Sequence, residues 1–321
     1  MKRQRALLSL LAVGAGVLHA IGASAASLQE ITGFGSNPGN LRMFVVVPQD
    51  LPPHPALVVL AHGCLQSAQD IADMSGWNEL ALKHRFALVL PQTSQENDSF
   101  AGCFRTWEPA HQQRGSGEPL SVASMVEWMI ARHAIDPRRV FMTGLSSGGH
   151  LTNVLLATYP DLFAAGAPQA SFPYKCATSF QDVAPCCLGK ITHSRKEWGD
   201  LVRSAYPGYR QQRPRVSIWH GSADPLLLIG NLDAQMEQWT DVFGIDDGPE
   251  SVTSEGRLSR WQYADGSGRT RVETNTVRGM GHAVAIDPSA QPQPCGQLRP
   301  YAEDVHVCAA ARIAQWFGIL R

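Results

Sequence analysis

The sequence predicts an α/β protein, a doubly wound and mainly parallel sheet covered by helices on both faces, in a single domain. Three observations predict it. Short apolar runs rich in β-branched residues alternate along the chain with segments of helical periodicity. One such run, Val140-Phe141-Met142-Thr143, enters the turn Gly144-Leu145-Ser146-Ser147-Gly148 and leaves it into a helix-compatible segment, so strand, sharp turn and helix follow one another. The 321 residues suffice for one large domain, and no Ser/Thr/Pro-rich linker, internal repeat or low-complexity tract divides them.

Residues 1–25 read as a secretory signal peptide. A positive flank, Met1-Lys2-Arg3-Gln4-Arg5, precedes a short apolar stretch and the small-residue site Ala23-Ser24-Ala25. A membrane anchor is the competing reading, but Gly14, Gly16 and His19 interrupt the stretch. No later segment offers the ~20 apolar residues that a span requires. Cleavage after Ala25 makes 26–321 the mature domain, in the periplasm or the medium. Strands are expected at 41–48, 56–62, 86–91, 139–144, 163–167, 215–220 and 270–277. Between them, 120–134 places Val122, Met125, Val126, Met129 and Ile130 at helical spacing, and 150–157, 228–243 and 303–317 behave similarly. Strands separated by helices require crossover connections, hence parallel pairing with both faces covered.

Lys and Arg number 27 against 28 Asp and Glu, with no long block of one sign. That balance argues against nucleic acid or an anionic membrane surface as partner. Seven cysteines in an exported chain imply disulfides with one thiol left over. The expected pairs are Cys64–Cys103 and Cys295–Cys308, with Cys176 joining Cys186 or Cys187. Each closes a loop worth roughly 3–4 kcal/mol in the chain-entropy model. A zinc site competes for the cysteines, but neither C-x-x-C pairs nor His-x-x-x-His spacing supports it. No metal or organic cofactor is implied.

The turn at 144–148 has the form of a nucleophile elbow, with Ser146 on a strained turn and Gly144 and Gly148 letting strand and helix approach. A bare G-x-S-x-G is weak; the strand before it and the helix after it raise its weight. A serine hydroxyl also needs a base, and the base needs an orienting acid. Asp224 follows the strand at 215–220 and His282 lies on a glycine-flanked loop after the strand at 270–277. Alone, a strand-end Asp is usually a turn former and a loop His usually solvated. In the order Ser, Asp, His, each after its own strand, they read as a triad. The backbone N–H of Ser147 and that of Cys64, after the strand at 56–62, are the expected oxyanion donors. Cys64 as nucleophile is the poorer reading, since a disulfide consumes its thiolate. His62 and His220 end strands and suit structural hydrogen bonds, whereas His150, in the first turn after the elbow, is expected to face the site. Trp198 and Trp261 suit packing; Trp107, after Cys103, is the tryptophan expected in the substrate groove.

These residues resemble the polyhydroxybutyrate depolymerase-like serine esterases, which adjoin the feruloyl and acetylxylan esterases of carbohydrate esterase family 1. The resemblance spans nearly the whole mature chain. It rests on His62-Gly63-Cys64-Leu65-Gln66, Glu108-Pro109 with Gly115-Ser116-Gly117-Glu118-Pro119, Gly144-Leu145-Ser146-Ser147-Gly148-Gly149, Trp198-Gly199-Asp200, His220-Gly221-Ser222-Ala223-Asp224 and Gly279-Met280-Gly281-His282 with Cys295-Gly296. It implies an α/β-hydrolase fold and a triad of Ser146, Asp224 and His282, hydrolysing poly- or oligo(3-hydroxyalkanoate) esters. Departures exist. Phe104-Arg105-Thr106-Trp107 replaces an aromatic-rich run, so Arg105 and Thr106 are expected to make the groove more polar. Ala283-Val284-Ala285 after the histidine matches neither branch, while Asp287-Pro288, Cys295-Gly296 and Cys308 look like depolymerases. Depolymerases that attack crystalline polymer usually carry a separate polymer-binding domain, so oligomers, amorphous polyester or small esters are the expected substrates. A feruloyl or acetylxylan esterase is the alternative in the same reaction class. A silent binding module on a hydrolase fold is the alternative outside it; a thiol redox protein built on Cys186-Cys187 and a serine peptidase have less support.

Overall fold

The structure, a computed structural model, describes residues 28–320 apart from 99, 247 and 293, so the expected signal peptide at 1–25 lies outside the described residues. A sheet of ten strands runs through the centre. Its parallel part contains β3 (Leu57–Ala61), β4 (Ala87–Gln92), β5 (Val140–Leu145), β6 (Ala165–Gln169), β7 (Arg215–Gly221) and β10 (Thr270–Val277), in the spatial order β4-β3-β5-β6-β7-β10. Antiparallel ribbons close both edges. On one side β2 (Arg42–Val46) pairs β4 and carries β1 (Gln29–Ile31); on the other, β9 (Leu258–Ala264) pairs β10 and carries β8 (Ser251–Glu255).

Side chains alternate across the sheet, and in the central strands β3, β4 and β5 they are mainly apolar on both faces, as a parallel strand between helical layers requires. In β3, Leu57, Val59 and Ala61 enter one core while Val58 and Leu60 enter the other. The first core receives α3 (Gly117–His133), α4 (Ser147–Thr158), α6 (Arg195–Ser204) and α7 (Gly230–Phe243). The second receives α1 (Ala68–Ser75), α2 (Trp77–His84) and α8 (Ala309–Trp316). A short helix, α5 (Phe180–Cys187), packs over the C-terminal end of the sheet with its own small cluster around Phe172 and Trp198. This is the α/β-hydrolase arrangement, in one domain. Among the described residues, no helix is long and apolar enough to cross a membrane.

Each expected strand is present. The helix expected over 303–317 begins only at Ala309: Ala302–Asp304 is strand β12, paired in parallel with β11 (Val284–Ile286), and the Cys308 Sγ caps α8 by accepting from the Ala311 N–H. The disulfide Cys295–Cys308 sets that start. The remaining pairs are Cys64–Cys103 and Cys176–Cys186, leaving Cys187 as the free thiol.

Candidate active site

Strand β5 delivers Ser146 into a turn with φ 56° and ψ −116°, outside the regions open to an ordinary side chain. Such a residue costs on the order of 1–3 kcal/mol and persists only where its surroundings enforce it. Here they do. The Ser146 N–H donates to Gln169 O at 3.0 Å, and the His150 N–H donates to Ser146 O at 2.9 Å. A Cβ on Gly144 would stand 2.6 Å from the Gly148 carbonyl carbon, and one on Gly148 would stand 2.4 Å from Ala61 O. Only glycine permits this approach of strand and helix, which turns the Ser146 side chain outward.

Beside it lies a cavity of about 580 Å³ whose wall includes both Ser146 and His282. The histidine loop is locked to the loop after β7: the Ala223 N–H donates to Met280 O at 3.0 Å, and a Cβ on Gly221 would come within 2.3 Å of that oxygen. The His282 Nδ1–H donates to Asp224 Oδ2 at 2.7 Å, while Asp224 Oδ1 accepts the Leu226 and Leu227 N–H groups at 2.9 Å each. Burial works to raise the Asp224 carboxyl, but the His282 hydrogen bond, the imidazole charge and the two backbone donors outweigh it and hold the carboxyl below its ordinary range. With Nδ1 donating, His282 Nε2 is bare and can accept a proton. His220, beneath this pair, donates from Nε2 to Leu227 O at 2.8 Å, fixing the same loop from below, and burial keeps it neutral.

The loop after β3 carries the first backbone donor expected for an oxyanion. Gln66 Oε1 accepts the Gly63 N–H at 2.8 Å, which leaves the Cys64 N–H as the next donor along the loop. The Cys64–Cys103 bond and the Leu65 N–H to Ala101 O bond at 2.8 Å tie that loop to the segment carrying Ala101 and Cys103 before any ligand arrives. Ser147 opens α4, so its N–H has no intrahelical partner and carries the positive end of the helix dipole.

Two sequence expectations are corrected. His150 does not line the cavity: it is 1% exposed, its Nδ1 bonds Thr106 Oγ1 at 2.7 Å, and Phe172 covers its ring at 4.1 Å. Burial pulls its pKa to about 3, so it is a neutral packing group. Arg105 and Thr106 do not make the groove polar either. Thr106 is buried against His150, and Arg105 turns to Glu108 at 3.7 Å. Trp107 does line the cavity, its ring edge-on to Phe180 at 5.9 Å. His62 is structural as expected: Nδ1 bonds Gly63 O at 2.7 Å, the Thr93 N–H bonds Nε2 at 3.2 Å, and burial lowers its pKa to about 4.

Sequence reading missed most of the wall. Leu65, Phe100, Phe180, Val183, Leu188 and Leu226 form it, and no Asp, Glu, Lys or Arg is among its lining residues. Phe100 and Phe180 meet edge to face at 6.1 Å across two segments, each tied by its own disulfide. The available signal was apolar residues in segments without periodicity, which cannot be told from ordinary packing residues. Cys187 also lines the cavity, and burial together with the Asp224 charge pushes its thiol up to about 11. Iodoacetamide at pH 8 is therefore expected to leave the native protein unlabelled, with alkylation rising as pH approaches 11. Peptide mapping after unfolding without reductant should place the single label on Cys187; a label on Cys186 would contradict the pairing.

Comparison with known proteins identifies the family and the fold. The family model described as "Esterase PHB depolymerase" matches residues 46–252. Poly(3-hydroxyalkanoate) depolymerase C of Paucimonas lemoignei is 42% identical over 97% of this chain and 75% of its own length. Feruloyl esterase B of Talaromyces stipitatus is 35% identical over 83% of this chain and 74% of its own. Among solved structures, an acetyl xylan esterase from Aspergillus awamori superimposes with a TM-score of 0.78 at 28% identity, covering 92% of this chain and all of that one. The chain thus belongs to the PHB depolymerase esterase family and is a serine-type carboxylic ester hydrolase.

Proposed function

We propose that the protein is an exported esterase that hydrolyses oligomeric or amorphous poly(3-hydroxyalkanoate) through Ser146, His282 and Asp224. The apolar cavity around Ser146 carries the substrate reading. A sugar-bearing alcohol is recognised by several convergent hydrogen-bonding side chains, yet among the described residues this wall offers, beyond the reacting groups, Gln66, Tyr301, the Trp107 indole N–H and the Cys187 thiol, and is otherwise aliphatic or aromatic. Around the mouth, Leu65, Phe100, Phe180, Leu188 and Leu226 are exposed. An apolar rim continuous with an ester-cleaving site suits an aliphatic polyester. A cavity of about 580 Å³ takes a single chain, which must leave a crystal lattice to enter. The three disulfides support an oxidising compartment.

In the mechanism, Ser146 Oγ attacks the ester carbonyl while His282 Nε2 takes its proton, and Asp224 stabilises the imidazolium. The Cys64 and Ser147 N–H groups hold the oxyanion; each such donor is worth on the order of 10²–10³ in turnover. Collapse expels the alcohol with the proton from His282. Water then attacks the acyl-serine by the same route and releases the acid.

The aromatic trio Phe100, Trp107 and Phe180 favours one second reading, an aryl acyl group such as feruloyl stacked between them. Product release from 3-hydroxybutyrate oligomers, methyl ferulate and acetylated xylan separates the readings. The oligomers should be cleaved with kcat/KM at least about tenfold above methyl ferulate, a difference of ~1.4 kcal/mol in transition-state binding, with acetylated xylan lowest. The opposite order would replace the polyester assignment.

A further inference from the structure

At the opposite end of the sheet from Ser146, a second cavity of about 600 Å³ opens where the chain leaves α6 and enters β7. Four arginines line it: Arg203, Arg210, Arg213 and Arg271. Two are matched within the protein, Arg203 by Asp200 and Asp241, and Arg271 by Asp265 at 2.5 Å. Arg213 has no carboxylate partner among the described residues, and its Nη1 is buried without a hydrogen bond. Arg210, exposed beside it, likewise has none among the described residues.

The Arg213 guanidinium is held in place by a ladder of rings and guanidinium planes. Arg114 lies over Tyr159 and Tyr206, 4.4 and 4.3 Å from their centroids. Tyr206 stacks on Tyr209 at 5.3 Å, and Arg213 lies over Tyr209 at 5.5 Å. The nearby Asp161 is committed to Arg114 at 2.7 Å, and the Tyr209 hydroxyl donates to Pro160 O and Gln212 O. Burial of the unmatched cation depresses its pKa, a cost that an incoming anion relieves. A planar cation, oriented beforehand and lacking an internal anion, is suited to a carboxylate.

We propose that this cavity is a carboxylate-binding site for a hydroxy acid, the class of free acid that the assigned hydrolysis releases. The ligand's body rests on that functional reading; its charge rests on Arg213 and Arg210 alone. Val242 and Phe243 give the aliphatic part an apolar wall, and the polar residues Gln211 and Gln212 belong to the same lining.

Calorimetric titration of the Ser146→Ala protein with the linear 3-hydroxybutyrate trimer acid, its methyl ester and inorganic phosphate tests this. The acid should bind about tenfold or more tightly than the ester, and Arg213→Met and Arg210→Ala should each remove about tenfold of that affinity. In a Ser146 background, both variants should hydrolyse p-nitrophenyl butyrate at the unaltered rate. If Arg213→Met melts early through loss of its ring contact, the exposed Arg210→Ala carries the test. Equal binding of acid and ester, or unchanged affinity in Arg210→Ala, overturns the site. Phosphate binding as tightly as the acid overturns the hydroxy-acid assignment. Failure of oligomer hydrolysis with acid binding intact would instead overturn the functional reading and leave a carboxylate site.

Discussion

Ser146→Ala is expected to lower kcat on p-nitrophenyl butyrate by roughly 10⁵–10⁶-fold while KM changes little. The alanine has no oxygen to form the acyl-enzyme, and the bare Nε2 of His282 has no hydroxyl to deprotonate. What remains is the slow attack of water in a site that keeps its oxyanion donors and its apolar wall. The backbone adds a second expected result. Alanine retains a Cβ at φ 56°, so the strain stays and the melting temperature hardly moves. Ser146→Gly is equally inactive, but glycine tolerates this conformation, and the variant should be more stable by about 1 kcal/mol. Steady-state kinetics and thermal melts check both. Activity within tenfold of the unaltered protein in Ser146→Ala would mean another nucleophile. A Gly variant no more stable than the Ala variant would mean that the elbow carries no strain.

The elbow was legible because its requirements are local. Gly144 and Gly148 are needed within four residues of each other, between a β-branched run and a helix, and the sequence shows all of these together. The central strands were legible for a related reason: Leu57–Ala61 and Ala87–Gln92 are buried on both faces, so their composition is unambiguous. The edge strands were not. Ser251–Glu255 is largely exposed and Leu258–Ala264 only partly buried, and neither displays the apolar alternation that marks a strand. The start of α8 was misplaced because Ala302–Asp304 can serve either element, and its pairing with Val284–Ile286 depends on a contact far along the chain. His150 illustrates the limit of local reading at the site. Its place in the first turn of α4 was foreseeable, but Thr106 and Phe172, from distant segments, decide that it is buried. The apolar wall is the same kind of case, since Phe100 and Phe180 become neighbours only after two disulfides bring their segments over the sheet.

The loop around Asp224 also sets the expected outcome of removing its charge. Asp224→Asn lowers kcat by roughly 10⁴-fold with the fold intact. The carboxylate uses its two oxygens differently: Oδ1 takes two backbone N–H donors, and Oδ2 takes the imidazole. An asparagine can satisfy Leu226 and Leu227 only by turning its carbonyl oxygen toward them, which aims its NH₂ at His282. Nδ1 must then accept, the proton moves to Nε2, and the imidazole can no longer receive the Ser146 proton. Turning the amide the other way restores the tautomer but sets an NH₂ against two N–H groups, so the loop resists it. The same geometry fixes a pH signature. The Asp224 pKa is depressed in the folded state, so its stabilising contribution is complete above the ordinary carboxylate value of about 4. It is lost as pH falls through the lower, folded value. Thermal melts from pH 7 to pH 3 should therefore fall less steeply for Asp224→Asn than for the unaltered protein, because the variant has no carboxylate there to protonate. Kinetics above one-tenth of the unaltered rate, or superimposable pH–melting curves, would show that Asp224 neither orients His282 nor holds the charge assigned to it.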